Sequence, residues 1–240
     1  MAKGERLEPL GGGIGIFVDD MYHFSTDTIL LADFSAPAKG IKAADLGAGC
    51  GTIPLLWTRN DRTIDITAVE IQSEACELFR RSIEHNGIEN IDVKNIDLRE
   101  LAGVVPFGCF DLVSCNPPYK LGGSGIKNPD GEKLLARHEE SCTIDDVTSA
   151  AKKLLQFGGR FVMCQRPERL TDVLGSMRQN DLEPKRIRFV QQREGKAPKL
   201  FLVEGRRGGK RGGLVTEPTL YIESDEMTKI YGEYKEGYLE

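Results

Sequence analysis

The chain has 240 residues, 40% hydrophobic and 29% charged, with a formal net charge of −5. That length suits one α/β domain with appendages and allows a sizeable core, and the composition is that of an ordinary globular protein. The sequence holds no run of 18 apolar residues, which excludes a membrane-spanning helix, and "MAKGERLEPLGGG" lacks the apolar centre of a signal peptide. The six cysteines (50, 76, 109, 115, 142, 164) form no C-x-x-C pair, and the three histidines stand far apart. This pattern reads as reduced thiols in a cytoplasmic protein, with no disulfide frame and no metal site.

In chain order, residues 1–40 form an N-terminal segment in which "FSTDTILLADF" (24–34) reads as a helix capped by Ser25 or Thr26. From 41 onward short apolar runs alternate with helical periods. Strands are expected at 41–46, 65–70, 91–95, 110–115 and 160–164. Helices are expected in "TIPLLWTR", in "SEACELFRRSIEHNG" with a C-cap at Asn86-Gly87, over 144–159, and after Pro167. Such alternation implies crossovers and a mainly parallel, doubly wound sheet. "KRIRFV" (185–190) and "KLFLVE" (199–204) are close enough to form an antiparallel hairpin at its edge. The core domain therefore spans 41–204, followed by a basic, Gly-rich loop and tail over 205–240.

The first strand runs into "DLGAGCGT". Gly47, Gly49 and Gly51 let the chain turn sharply and let backbone approach a ligand. The spacing is neither G-x-G-x-x-G nor a phosphate loop, and a tight strand–helix turn without a ligand fits it equally. Asp45 sits at the carboxyl end of the strand, where open α/β sheets place ligands. Glu70 ends the second strand, about 20 residues past the loop, the usual place of an acid that meets ribose hydroxyls. A solvated strand end is the plainer reading of Glu70. Asp97, after the third strand, reads as a third ligand or as the N-cap of a short helix.

"FDLVSCNPPY" follows a buried strand with an amide, two prolines and an aromatic ring. The amino group of adenine is a poor nucleophile because its lone pair is delocalised into the ring. Two acceptors aimed at its two N–H bonds favour a more tetrahedral nitrogen. The Asn116 side-chain oxygen and the Pro117 carbonyl suit that task, because prolines fix the backbone around them. The result is electrostatic preorganisation without a charge. Tyr119 is placed to stack on the base. A proline-rich strand end is the alternative.

Together "DLGAGCGT", "VE", "NIDL" and "SCNPPY" resemble class I S-adenosylmethionine-dependent methyltransferases of the N6-adenine type, over roughly 24–204. Within that group the chain is similar to the tRNA(Val) adenine-N6 methyltransferase family, which acts on the adenosine just 3′ of the anticodon. "FSTDTILLADF", "ARHEE" and "LLQFGGRFVMCQRPERL" carry that likeness. The resemblance implies a Rossmann-like domain with S-adenosyl-L-methionine as cofactor. By motif, Gly47, Gly49 and Gly51 would line its methionine part, with Asp45 beneath, Glu70 on the ribose and Asp97 at the adenine. Thr26 and Asp27 would help at the methionine end. Asn116, Pro117 and Tyr119 would hold the target base.

The segment 185–211 has ten Lys or Arg against two Glu, which suits phosphate contact with RNA, tRNA above all, or a charged, solubilising hairpin. The span 120–142 leaves the catalytic rim and suits a substrate-covering loop, with Arg137 and His138 as substrate contacts or, equally, as ordinary charges on a surface helix. Protein glutamine-N5 methylation and DNA or ribosomal-RNA amino-methylation are the competing activities. The first usually brings a larger helical domain before the core, and DNA adenine methylation a dedicated recognition domain.

Overall fold

The structure, a computed structural model, describes residues 4–117 and 142–235, with side chains up to residue 231. A hairpin of β1 (Arg6–Pro9) and β2 (Gly15–Val18) opens the chain, followed by α1 (Thr26–Ser35). The alternating core runs β3 (Lys42–Leu46), α2 (Thr52–Asn60), β4 (Asp65–Glu70), α3 (Ser73–His85), β5 (Ile91–Asn95) and β6 (Phe110–Cys115). It continues with α4 (Ile144–Leu154), β7 (Leu155–Gln165), a 3-10 turn at Pro167–Arg169 and α5 (Leu170–Gln179). Then come β8 (Leu182–Gln191), β9 (Leu200–Arg207), β10 (Val215–Thr216), β11 (Leu220–Tyr221) and α6 (Asp225–Lys235).

One sheet organises all but the first two strands, in the order β10-β8-β9-β7-β6-β3-β4-β5, with β11 also on β8. The strands from β7 to β5 are parallel, and β9 enters antiparallel between β7 and β8. The expected doubly wound, Rossmann-like sheet is therefore present.

The central strands are apolar throughout because helices cover both faces. Neighbouring residues alternate between two cores. Ala43, Ile66, Leu112 and Val162 pack with Leu30, Trp57 and Phe79 of α1, α2 and α3. Ala44, Val69, Val113 and Phe161 pack with Val147, Leu154 and Met177 of α4 and α5. Ser25 is the N-cap of α1, accepting the Thr28 N–H. Asn86 caps α3, and Gly87 follows at φ 59°.

Three local expectations change. The helix expected over 144–159 ends at Leu154, because Leu155 turns extended (φ −63°, ψ 143°) and starts β7. Gly158 and Gly159 serve the irregular pairing of β7 with β6 rather than a helix cap, and a Cβ on Gly159 would come within 3.0 Å of the Phe110 carbonyl. The 185–204 hairpin lies inside the sheet, with β10 and β11 laid along its outer strand. Asp225–Lys235, in the expected tail, form α6, which packs Met227, Ile230 and Tyr231 against the first core.

Candidate active site

Strand register assembles one rim. Asp45 pairs with Ser114 and Leu46 with Cys115, while Leu46 also faces Val69 of β4. The carboxyl ends of β3, β4 and β6 therefore meet, bringing the glycine loop, Glu70 and Asn116 side by side.

The loop is held by backbone. The Gly47 and Ala48 N–H groups both donate to the Val69 carbonyl, at 2.8 and 3.0 Å. Gly47 and Gly49 have φ of 71° and 54°, and nothing lies within 4 Å of where a Cβ would sit. Their bare faces border open space, the room a ligand needs to touch backbone. Gly51 differs, since a Cβ there would collide with the Phe79 ring. Its smallness serves the packing of α2 against α3.

Glu70 is 5% exposed, yet both carboxylate oxygens are engaged. One accepts the Gly49 N–H and the other the Gln72 N–H, each at 2.8 Å. Gln72 in turn accepts the Tyr22 hydroxyl at 2.7 Å, tying the loop after β2 to this rim. Beneath the loop, Asp45 is fully buried and accepts the Ser114 hydroxyl at 2.6 Å. Burial pushes its carboxyl up to about 7; the Ser114 hydrogen bond opposes that rise and the Glu70 charge adds to it.

An open cleft lies over these groups, lined by Gly47, Glu70, Ile71, Asp97, Leu98 and Cys142 among others. Asp97 is followed by a turn and not by the short helix it would cap. It lines the cleft, and its side chain also accepts the Arg99 N–H at 2.8 Å and pairs with the Arg99 guanidinium.

Asn116 stands at the end of β6 with its amide held from two sides. Its Nδ2 donates to Thr28 Oγ1 at 3.1 Å, and its Oδ1 accepts the Cys164 thiol at 3.1 Å. Pro117 follows, half-buried. Tyr119, Arg137 and His138 lie outside the described residues. In α1 it is Thr28 that meets Asn116, whereas Thr26 accepts the Tyr231 hydroxyl of α6 at 2.7 Å and Asp27 sits half-buried in the first turn. Thr28, Cys164 and Ser114 lie in segments that carry the family likeness but drew no role from the sequence, Tyr22 and Gln72 lie in none, and the fold brings all five here.

The basic segment divides between two ends of the sheet. Gln165, at the rim end of β7, pairs with Phe201, while Arg160 at the far end pairs with Arg206. The turn carrying Arg193, Lys196 and Lys199 therefore lies at the rim, and those three side chains are exposed. At the far end Arg206 donates to the Gly158 carbonyl, Arg207 to that of Leu155, and Lys185 to those of Lys210 and Gly212, while Arg206, Lys210 and Arg211 remain exposed. Between them Arg186 and Arg160 pair with buried Glu204 at 2.9 and 3.1 Å.

The sequence model of the methyltransferase small domain matches residues 13–177. The chain belongs to that family. It is 28% identical, over 75% of its own length and 74% of the relative's, to a tRNA1(Val) (adenine(37)-N6)-methyltransferase of Parabacteroides distasonis. A protein of the same name from Pseudoalteromonas translucida is 29% identical over 57% of each chain. The fold is similar to a crystal structure described as a predicted O-methyltransferase of Agrobacterium tumefaciens, with TM-score 0.71, 21% identity, and coverage of 87% of this chain and 97% of that one.

As a small-domain methyltransferase on a class I fold, the chain uses S-adenosylmethionine as its methyl donor. The rim fits that molecule. The bare faces of Gly47 and Gly49 leave room against backbone, buried Glu70 supplies an acceptor, and Ile71 and Leu98 supply apolar walls.

Proposed function

We propose that this methyltransferase acts on the exocyclic N6 of an adenine in tRNA, the base just 3′ of the anticodon. The observation that carries the reading is the placement of the Asn116 amide and the Pro117 backbone at the end of β6, one strand from the glycine loop. Two acceptors next to a cofactor cleft are what a conjugated NH2 group needs. The names of the two relatives agree with it.

When bound, S-adenosylmethionine supplies an electrophilic methyl group on a sulfonium. Gly47 and Gly49 would pass its methionine end, with Thr26 and Asp27 of α1 on the same side. Glu70 would accept from the ribose hydroxyls, Asp97 from the adenine amino group, and Asp45 would support the loop from below. Gly51 would contribute through packing. On the substrate side, Asn116 Oδ1 and the Pro117 carbonyl would accept the two N–H bonds of the target amine and turn its lone pair out of the ring plane. Tyr119 would stack on the base. Such a site works by alignment more than by a strong base. A base in structured RNA reaches it by leaving its stack or by already lying in a loop.

Within 185–211, the rim cations Arg193, Lys196 and Lys199, with Arg166 beside them, would follow the tRNA phosphates towards Asn116. A tRNA substrate also places the enzyme in the cytoplasm.

The test is incubation with methyl-labelled cofactor and total tRNA, ribosomal RNA or cell protein, followed by nuclease digestion and chromatography. Label in N6-methyladenosine from tRNA is expected. Asn116→Ala should cut transfer by about 100-fold with cofactor affinity retained. Label in protein glutamine instead would overturn the reading.

A further inference from the structure

A carboxamide has two ends of nearly equal shape and opposite hydrogen-bonding sense. An asparagine that must present an acceptor is useless when flipped, since it then offers two donors to a group that also donates. Rigid backbone at Pro117 does not settle this, because the flip is a side-chain rotation.

Asn116 has a partner of each kind from two different elements. Thr28 Oγ1, in the first turn of α1, receives the Nδ2 proton at 3.1 Å, and Cys164 Sγ, on β7, donates to Oδ1 at 3.1 Å. Both partners are fixed in turn. The Thr28 hydroxyl lies 3.2 Å from that of Ser25, the N-cap of α1. Cys164 is fully buried among the residues of the first core.

We propose that Thr28 and Cys164 are positioning residues that hold the Asn116 amide with its oxygen as the acceptor for the substrate amine. The choice of atoms supports this. In the observed sense the hydroxyl accepts from N–H and the thiol donates to oxygen. In the flipped sense the NH2 group would face sulfur, a weak acceptor, and much of one hydrogen bond would be lost. A thiol is also a weak donor, so it sets direction while drawing little density from the oxygen. A carbonyl oxygen accepts two hydrogen bonds, so a thiol on one side is compatible with a substrate N–H on the other.

The kinetic arm of the test rests on the adenine reading; the spectroscopic arm does not. Thr28→Val keeps the shape and removes the acceptor. It should lower kcat about tenfold, the worth of one hydrogen bond. KM for tRNA and cofactor affinity should be unchanged, and Thr28→Ser should restore the rate. Placed on Asn116→Ala, Thr28→Val should cost nothing further. In parallel, the Asn116 side-chain NH2 resonances, assigned by their loss in Asn116→Ala, should exchange with solvent about tenfold faster in Thr28→Val. If the valine variant is unstable, Thr28→Ala replaces it in both arms.

Wild-type rate together with wild-type exchange in the Thr28 variant overturns the proposal. So does a rate loss of equal size in the Asn116→Ala background, because Thr28 then acts elsewhere. If the wild-type protein methylates no RNA, the adenine reading falls, and the exchange measurement alone decides whether the amide is held.

Discussion

Glu70 takes the Gly49 N–H on one carboxylate oxygen and the Gln72 N–H on the other, each at 2.8 Å. One side chain thus fixes both the glycine loop and the entry to α3. Hydrogen bonds to a charged group are worth roughly 1.5–3 kcal/mol each. Glu70→Ala should therefore weaken the cofactor by at least about tenfold while leaving tRNA affinity nearly unchanged, as calorimetry with each ligand would read. Equal losses for both ligands would show a global defect instead.

The loop glycines should separate by phenotype. Gly51→Ala places a Cβ against the Phe79 ring at φ 91°, so it should destabilise the fold by roughly 1–3 kcal/mol in urea unfolding. Gly49→Ala meets no atom, and its strain at φ 54° is worth about 1 kcal/mol. Its larger effect should be on cofactor affinity, since the new methyl group enters the cleft.

Buried Asp45 makes stability fall as pH rises. Its folded carboxyl lies at about 7 and an unfolded aspartate at about 3.9, so the folded chain binds one more proton between those values. Stability contributed by the protonated acid is complete at low pH and is lost as pH rises towards about 7, at a limiting slope of roughly 1.4 kcal/mol per unit. Asp45→Asn removes the effect. Urea midpoints of the two proteins should diverge in favour of the asparagine from about pH 4 to 7 and then run parallel. Parallel curves over the whole range would contradict the assignment.

The two ends of the basic segment should also part. Changing Arg193, Lys196 and Lys199 to glutamine should weaken tRNA binding and flatten its salt slope by about 0.7–0.9 for each phosphate no longer neutralised. Changing Arg206 and Arg207, which donate to the Gly158 and Leu155 carbonyls, should lower the unfolding midpoint and leave that slope nearly unchanged. The reverse pattern would move the RNA to the other end of the sheet.

The parallel core is legible because its periodicity is strong and each strand ends in turn chemistry. What fails is local punctuation that tertiary pairing overrides. Leu154 and Leu155 continue the apolar period of α4, yet β6 claims Leu155 as a strand residue. The opening hairpin escapes notice because β1 and β2 are four residues each, and β2 is secured by side chains of α3. The α6 helix had a usable sign, Ser224 before two acids, and Ser224 does accept the Met227 N–H. At the site, the glycines, the acids and Asn116 announce themselves by type and spacing. Thr28 and Cys164 do not, because they lie 88 and 48 residues from Asn116 and meet it only through the sheet.

The Tyr231 hydroxyl reaches Thr26 across 205 residues of sequence. The turn of α1 that steadies the Asn116 amide is thus itself anchored by a segment made long after it. During synthesis the ribosome releases the glycine loop, the acids and the amide well before that anchor exists. A nascent chain stalled short of α6 should accordingly lack this support on the Thr26 turn, so the methionine end of the donor site and the amide beside it are steadied last.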